Sequence, residues 1–254
     1  MSGPGAGFLD LPPRVARPRA IGLTHVIDGG TPPPAFETLV EWIADIADVW
    51  KFGWGTAYVD TAVRRKVDVL RRHEILACPG GTLLEVACLR GRADRFLGWA
   101  AEVGFTAIEV SNGATGLSSS DKRLLISQAS TQFRVLSEVG SKDPAVVLPP
   151  AAWEREVRAD LEAGARWVVL EGRESGSVGL YDVQGRVRED LVARVTAAVG
   201  LERLVFEAPR KDQQAWFIRR FGPDVNLGNV SPDEALGLET LRLGLRADTI
   251  TLLR

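Results

Sequence analysis

The chain repeats one local pattern eight times: a short apolar run that stops abruptly in a polar or glycine-rich turn. The runs are "GLTHVIDGG", "VWKFGWGT", "ILACPGGT", "AIEVSNG", "VLSEVGSK", "WVVLEGRESG", "RLVFEAP" and "VNLGNV". They recur mostly every ~30 residues, about the length of one strand–helix unit. Stretches such as "AFETLVEWIADIA" and "ADRFLGWAAEVG" carry a helical apolar period between them. Strands that are apolar throughout, rather than alternating, are those covered on both faces, which means a parallel sheet under helices. Eight such units in 254 residues predict closure into a single (β/α)8 TIM barrel over residues 21–254. An open doubly wound sheet is the alternative. Against it, no strand runs into a GxGxxG turn and no phosphate-binding P-loop pattern is present.

Composition narrows the class of ligand. A formal charge of −2 and no basic run with interleaved aromatics exclude a nucleic-acid face and leave a small molecule as the expected partner. No apolar run approaches the ~20 residues of a membrane helix. Cys78 and Cys88 stand apart in apolar surroundings, as expected of a reducing compartment. Residues 1–20, rich in Gly, Pro and Arg without an apolar segment, are expected to be a flexible lead, and the protein is expected to be cytoplasmic.

In a barrel of this kind chemistry gathers where the strands end and the βα loops converge. The strand ends here carry Asp28, Lys51, Glu109, Asn112, Glu138, Lys142, Glu171, Arg173, Glu174, Glu207, Lys211, Asn226 and Asn229. One carboxylate in such a place is ordinarily a solvated turn residue. Four successive strands ending in "AIEV", "LSEV", "VLEG" and "VFEA" instead put Glu109, Glu138, Glu171 and Glu207 at the rim of an apolar interior. Like charges so placed repel unless cations share the site, either basic side chains or a divalent metal. Oxygen ligands without a His or Cys cluster favour Mg²⁺ over Zn²⁺.

Lys51, inside an apolar strand, needs an anionic partner, either a rim carboxylate or an anionic ligand. His25 reads as a core residue, and His73 as a surface residue at a helix end. Residues 141–153 read as a long βα loop of the kind that acts as a lid. The segment "SPDEALGLETLRLGLRADTI" reads as a closing amphipathic helix in which Arg242 and Arg246 are surface charges or subunit contacts.

The strings "KFGWGT", "PGGTLLE", "EVG", "EGRESG", "FEAPRKDQQAWFI" and "LETLRLGLRADT" resemble, in order and from about residue 21 to the C-terminus, the phosphosulfolactate synthase family. The resemblance implies a (β/α)8 fold, a homotrimer, and Mg²⁺-dependent addition of sulfite to phosphoenolpyruvate to give phosphosulfolactate for coenzyme M synthesis. It further implies Glu138, Glu171 and Glu207 as metal ligands, with Glu171 also counted as catalytic. Lys51, Arg173, Lys211 and Asn226 are implied in substrate binding. By its position after "EVG", Lys142 is implied as the general acid/base, with a pKa depressed by neighbouring cations.

Three positions depart from the family pattern. Gly29 stands where a Lys is usual, Asn112 where "SDG" is usual, and Ser141 in place of the first Lys of "EVGKK". Fewer charges around a second anion make a changed nucleophile one alternative, and a non-catalytic barrel like the family's plant heat-stress-associated relatives another. An aldolase-like reading lacks its strand-6 lysine, since that strand ends in Glu171.

Overall fold

A computed structural model of the protein describes residues 8–143, 145–173 and 175–253. Eight parallel strands follow the predicted runs: β1 (Thr24–Asp28), β2 (Val49–Phe52), β3 (Leu76–Pro79), β4 (Ala107–Val110), β5 (Arg134–Val139), β6 (Trp167–Leu170), β7 (Leu204–Glu207) and β8 (Leu227–Val230). Helices α1 (Pro33–Ile43), α2 (Thr56–Val59), α3 (Val63–Arg72), α4 (Gly81–Leu89), α5 (Ala93–Val103), α6 (Ser119–Ser130), α7 (Pro150–Glu162), α8 (Glu189–Val199), α9 (Lys211–Phe221) and α10 (Ala235–Arg242) fill the crossovers. The strands pair in the order β3-β2-β1-β8-β7-β6-β5-β4. Between β3 and β4 the Thr106 amide donates to the Ala77 carbonyl at 3.1 Å and its hydroxyl accepts from the Ala77 amide at 3.0 Å, closing the barrel. The single (β/α)8 barrel is the predicted one.

Side-chain parity along the strands decides what reaches the interior. Trp50, Ala77, Ile108, Val135, Val168 and Phe206 point outward into the cores under the helices. Residues of the other parity, Val49, Cys78, Ala107, Leu136, Trp167, Val169 and Val205, pack against one another inside the barrel. Two residues further along, that inward parity falls on Lys51, Glu109, Glu138, Glu171 and Glu207, each at most 4% exposed. The polar residues are therefore the next inward layer on the same strands.

Two expectations change at the opposite end of the barrel. Residues 8–20 form no helix or strand, yet they are strapped across the N-terminal face rather than left as a free lead. Arg14 pairs with Asp224 and with Glu239 (2.9 Å), Arg19 with Asp48 (2.9 Å), and Arg17 donates to the Ala44 and Glu74 carbonyls. Arg242 is fully buried and donates to the Pro223, Val225 (2.7 Å) and Leu23 (3.0 Å) carbonyls, so it ties α10 to the strand starts and is not a surface charge. The loop after β5 is shorter than read, because α7 begins at Pro150. Among the described residues, no helix is long and apolar enough to cross a membrane.

Candidate active site

Two lysines divide the rim carboxylates into two groups. Lys51, held on β2, lies 3.1 Å from Glu109 Oε2 and 3.3 Å from Glu207 Oε1. Of the two partners open in the sequence, the structure supplies rim carboxylates. Burial disfavours the Lys51 ammonium, but Glu109, Glu207 and Glu138 outweigh it and raise its pKa well above normal. Lys142, on the loop after β5, lies 2.6 Å from Glu138 Oε1, 3.7 Å from Glu171 Oε2 and 4.0 Å from Glu85 Oε1.

The expected depression of the Lys142 pKa is reversed. Burial does oppose its charge, but the groups it meets are Glu138 and Glu171 rather than cations, and they raise its pKa. It is an ammonium at neutral pH. The two carboxylates facing it diverge. Burial opposes ionisation of Glu138, yet Lys142 and Lys51 hold it at about 2. Burial, then the charges of Glu138 and Glu207, push Glu171 well above the carboxylate range. The lysines thus favour ionisation of Glu138, while burial and like charge oppose that of Glu171.

"EGRESG" builds the β6 side of the mouth. Glu207 Oε2 accepts from the amides of Gly172 (2.8 Å) and Arg173 (3.0 Å), and Glu171 Oε1 accepts from the Arg173 amide at 2.8 Å. Aiming those amides requires Arg173 in the left-handed region, at φ 57°. A side chain at Gly172 would meet Tyr181 at 2.7 Å and the Glu207 carbonyl at 2.9 Å, so only glycine fits there. The Arg173 guanidinium donates to the Lys142 carbonyl at 3.1 Å, joining the two mouth loops. Glu174, one of the strand-end charges read from the sequence, lies outside the described residues.

Glu138, Glu171, Glu207, Lys51, Lys142 and Arg173 are therefore brought together, whereas Lys211 and Asn226 are not. Lys211 opens α9 with its side chain 50% exposed, paired with Asp248 at 3.1 Å. Asn226 sits at the strand starts, its Oδ1 accepting from the Leu23 amide (2.9 Å) and its Nδ2 donating to the Leu204 carbonyl (2.8 Å). It precedes β8, so it belongs to the far end of the barrel.

Glu85 escaped the strand-end reading because it comes from a helix. Fully buried on α4, it accepts from the Ser111 hydroxyl and from the Ala114 and Thr115 amides at 2.9 and 2.8 Å. A glutamate in the apolar helix "GTLLEVACL" was its only signal. His25 lies inside the barrel beneath the rim. Burial first, then Lys51, lowers its pKa well below normal, so it is neutral. Its Nδ1 faces the Asn229 amide at 3.5 Å.

A Mg²⁺ ion requires oxygen ligands with lone pairs to spare. Glu207 spends its oxygens on Lys51 and on two amides, which leaves it a poor ligand. Glu138 Oε1 and Glu171 Oε2 are buried, and both face the Lys142 ammonium, at 2.6 and 3.7 Å. Among the described residues, no group of three or more acidic, His or Cys side chains is arranged to hold a metal. Two carboxylates still suit Mg²⁺, which keeps several waters and takes further oxygens from substrate.

A parallel (β/α)8 barrel whose mouth is lined by buried carboxylates and ammonium groups is the framework of an enzyme that handles a small molecule. A sequence model of the (2R)-phospho-3-sulfolactate synthase (ComA) family matches residues 12–248, and the chain belongs to that family of enzymes. It is 45% identical to the phosphosulfolactate synthase of Methanothermobacter thermautotrophicus over 246 residues, covering 94% of this chain and 95% of that one. The Bacillus subtilis phosphosulfolactate synthase is 38% identical over 247 residues, 96% of this chain and 98% of that one. Arabidopsis thaliana protein HEAT-STRESS-ASSOCIATED 32 is 33% identical over 88 residues, 35% of this chain and 29% of that one. Among solved structures, 3-hexulose-6-phosphate synthase from Salmonella typhimurium superposes with a TM-score of 0.56 at 14% identity, covering 87% of this chain and 99% of that one. That likeness is one of fold.

Proposed function

We propose that the chain catalyses the addition of sulfite to phosphoenolpyruvate, giving (2R)-phospho-3-sulfolactate, with Mg²⁺ bound at Glu138 and Glu171. The observation that carries this reading is the Lys142–Glu138–Glu171 cluster, set at the barrel mouth of a chain that belongs to this family. In the reaction, the sulfite sulfur lone pair forms a bond to the methylene carbon. The π pair of the double bond moves to the neighbouring carbon and into the carboxylate, and that carbon then takes a proton. A Mg²⁺ ion would supply Lewis-acid stabilisation to the substrate carboxylate as this charge builds.

The residues of the chain supply the rest. The raised pKa keeps Lys142 in the ammonium form, the proton-bearing form a general acid needs, while Glu138 and Glu171 oppose release of that proton as long as they pair with it. Arg173 and its loop offer positive charge to the phosphate or carboxylate. Lys51 acts through Glu109 and Glu207, keeping the amides of Gly172 and Arg173 in place. The reading extends to a homotrimer working in the cytoplasm.

The test is incubation with phosphoenolpyruvate, sulfite and Mg²⁺, with product identified by mass spectrometry. A changed nucleophile is the second reading, favoured by the surroundings of Gly29. Any side chain there would have its Cβ 3.2 Å from the Trp54 ring, so a lysine fits only if the ring moves. Phosphoenolpyruvate binding without product from sulfite would select that reading.

A further inference from the structure

Lys142 faces the two carboxylates that would hold a divalent cation, Glu138 and Glu171. Two buried carboxylate oxygens, Glu138 Oε1 and Glu171 Oε2, face Lys142 Nζ at 2.6 and 3.7 Å. Glu171 Oε1 is taken by the Arg173 amide. An incoming cation must therefore use lone pairs now directed at the ammonium. Two cations a few ångströms apart in a weakly screened site repel strongly.

The two lysines of the site are built differently. Lys51 is anchored within a strand, its side chain 5% exposed between two carboxylates. Lys142 lies beyond the strand, after Gly140 at φ 136°, and its side chain is 22% exposed although its partners Glu138 and Glu171 are 4% and 1% exposed. Its stem runs beside Gly113, where a Cβ would lie 3.3 Å from Lys142 Cγ. The carboxylate end of the ion pair is thus the more deeply buried, and the ammonium end lies nearer solvent.

We propose that Lys142 is an internal counter-cation that a divalent metal displaces from the Glu138–Glu171 pair, so that metal binding and release of the ammonium toward the barrel opening are one event. The proton donor is then set free only in a metal-loaded site. This inference rests on the metal reading above.

Mn²⁺ affinity, measured from the free-ion signal in electron paramagnetic resonance, distinguishes the two. K142M is expected to bind Mn²⁺ at least about tenfold more tightly than the unsubstituted protein, since the competitor is gone. Equal or weaker binding overturns the proposal. K142M leaves buried carboxylates without their cation and can fail to fold, so a second measurement uses the unsubstituted chain. Lysine acetylation followed by peptide mass spectrometry is expected to modify Lys142 several-fold faster with Mg²⁺ than without, with Lys211 as the exposed reference. An unchanged or slower rate also overturns the proposal. If neither protein binds Mn²⁺, the metal reading fails and this inference with it. Binding by the unsubstituted chain with no gain in K142M defeats the inference alone.

Discussion

Lys51 Nζ and Glu207 Oε1 meet at 3.3 Å although their strands, β2 and β7, are separated by β1 and β8. The contact crosses the barrel mouth, and the other oxygen of Glu207 holds the Gly172 and Arg173 amides. The "KFGWGT" and "EGRESG" segments are thereby coupled through a single carboxylate.

Removing Lys51 would leave Glu109 and Glu207 buried without their cation. K51M is expected to lose about 3–5 kcal/mol of stability, the usual consequence of breaking a buried ion pair from one side. The double variant K51M/E207Q should recover part of that loss, because one unpaired charge is gone. Urea unfolding of the three proteins checks it, and a double variant less stable than K51M would contradict the pairing.

Glu171 gives a pH dependence whose sign is fixed. Its folded pKa lies well above the unfolded value, so between those two values the native state binds more protons than the unfolded state. Stability from this group is present below the unfolded pKa and is lost as pH rises through the folded one. Metal-free protein should therefore melt progressively lower from about pH 5 upward, and E171Q should flatten that fall. Melting curves with chelator across pH 5–8 test it. Parallel slopes in the two proteins would rule out Glu171 as the source.

Gly140 has no room for a side chain. A Cβ there would lie 2.5 Å from the Glu171 Cβ and 2.6 Å from the Trp153 ring, and its φ of 136° is unfavourable for any other residue. G140A is expected to cost about 2 kcal/mol or more and to lower kcat roughly a hundredfold by shifting Glu171. Steady-state kinetics beside a melting curve would show it, and unaltered kcat would mean the mouth tolerates the shift.

The strand ends were legible in the sequence because inward parity and strand position are both carried by short apolar runs. Glu109, Glu138, Glu171 and Glu207 could be placed at the rim from "AIEV", "LSEV", "VLEG" and "VFEA" alone. Pairing was not legible, because Lys51 meets Glu207 only once the barrel closes. The raised pKa of Lys142 is illegible for the same reason, since its neighbours come from β5, the turn after β6, and α4. Asn226 was read as a strand end, whereas β8 begins one residue later and puts it at the strand start. A one-residue uncertainty in a short strand does not reveal which end of the barrel a flanking side chain serves.

That reassignment of Asn226 has its own test. Its amide bridges the Leu23 amide and the Leu204 carbonyl, joining the starts of β1 and β7 far from the mouth. N226A would strand both groups in a buried place and should lower stability by about 1–3 kcal/mol. KM for phosphoenolpyruvate should stay within about twofold of the unsubstituted value, because a residue that binds no substrate contributes no uniform binding. A large rise in KM with an unchanged melting temperature would return Asn226 to the substrate site.

The strap across the N-terminal face separates stability from chemistry in the same way. Arg14 and Arg19 pair with Asp224, Glu239 and Asp48, and Arg14 also donates to the Gly22 carbonyl at 2.9 Å. Asp48 in turn accepts from the Thr24 amide at 2.9 Å, so the strap is bonded to the start of β1. A chain beginning at residue 21 is expected to fold with a melting temperature lowered by several degrees, consistent with a loss of about 1–3 kcal/mol in a protein of this size. Its kcat should be little changed, because the mouth cluster is built from the other ends of the strands. Differential scanning calorimetry with a steady-state assay decides it: unchanged melting would make the strap dispensable, and lost turnover in a folded protein would tie the barrel's two ends together.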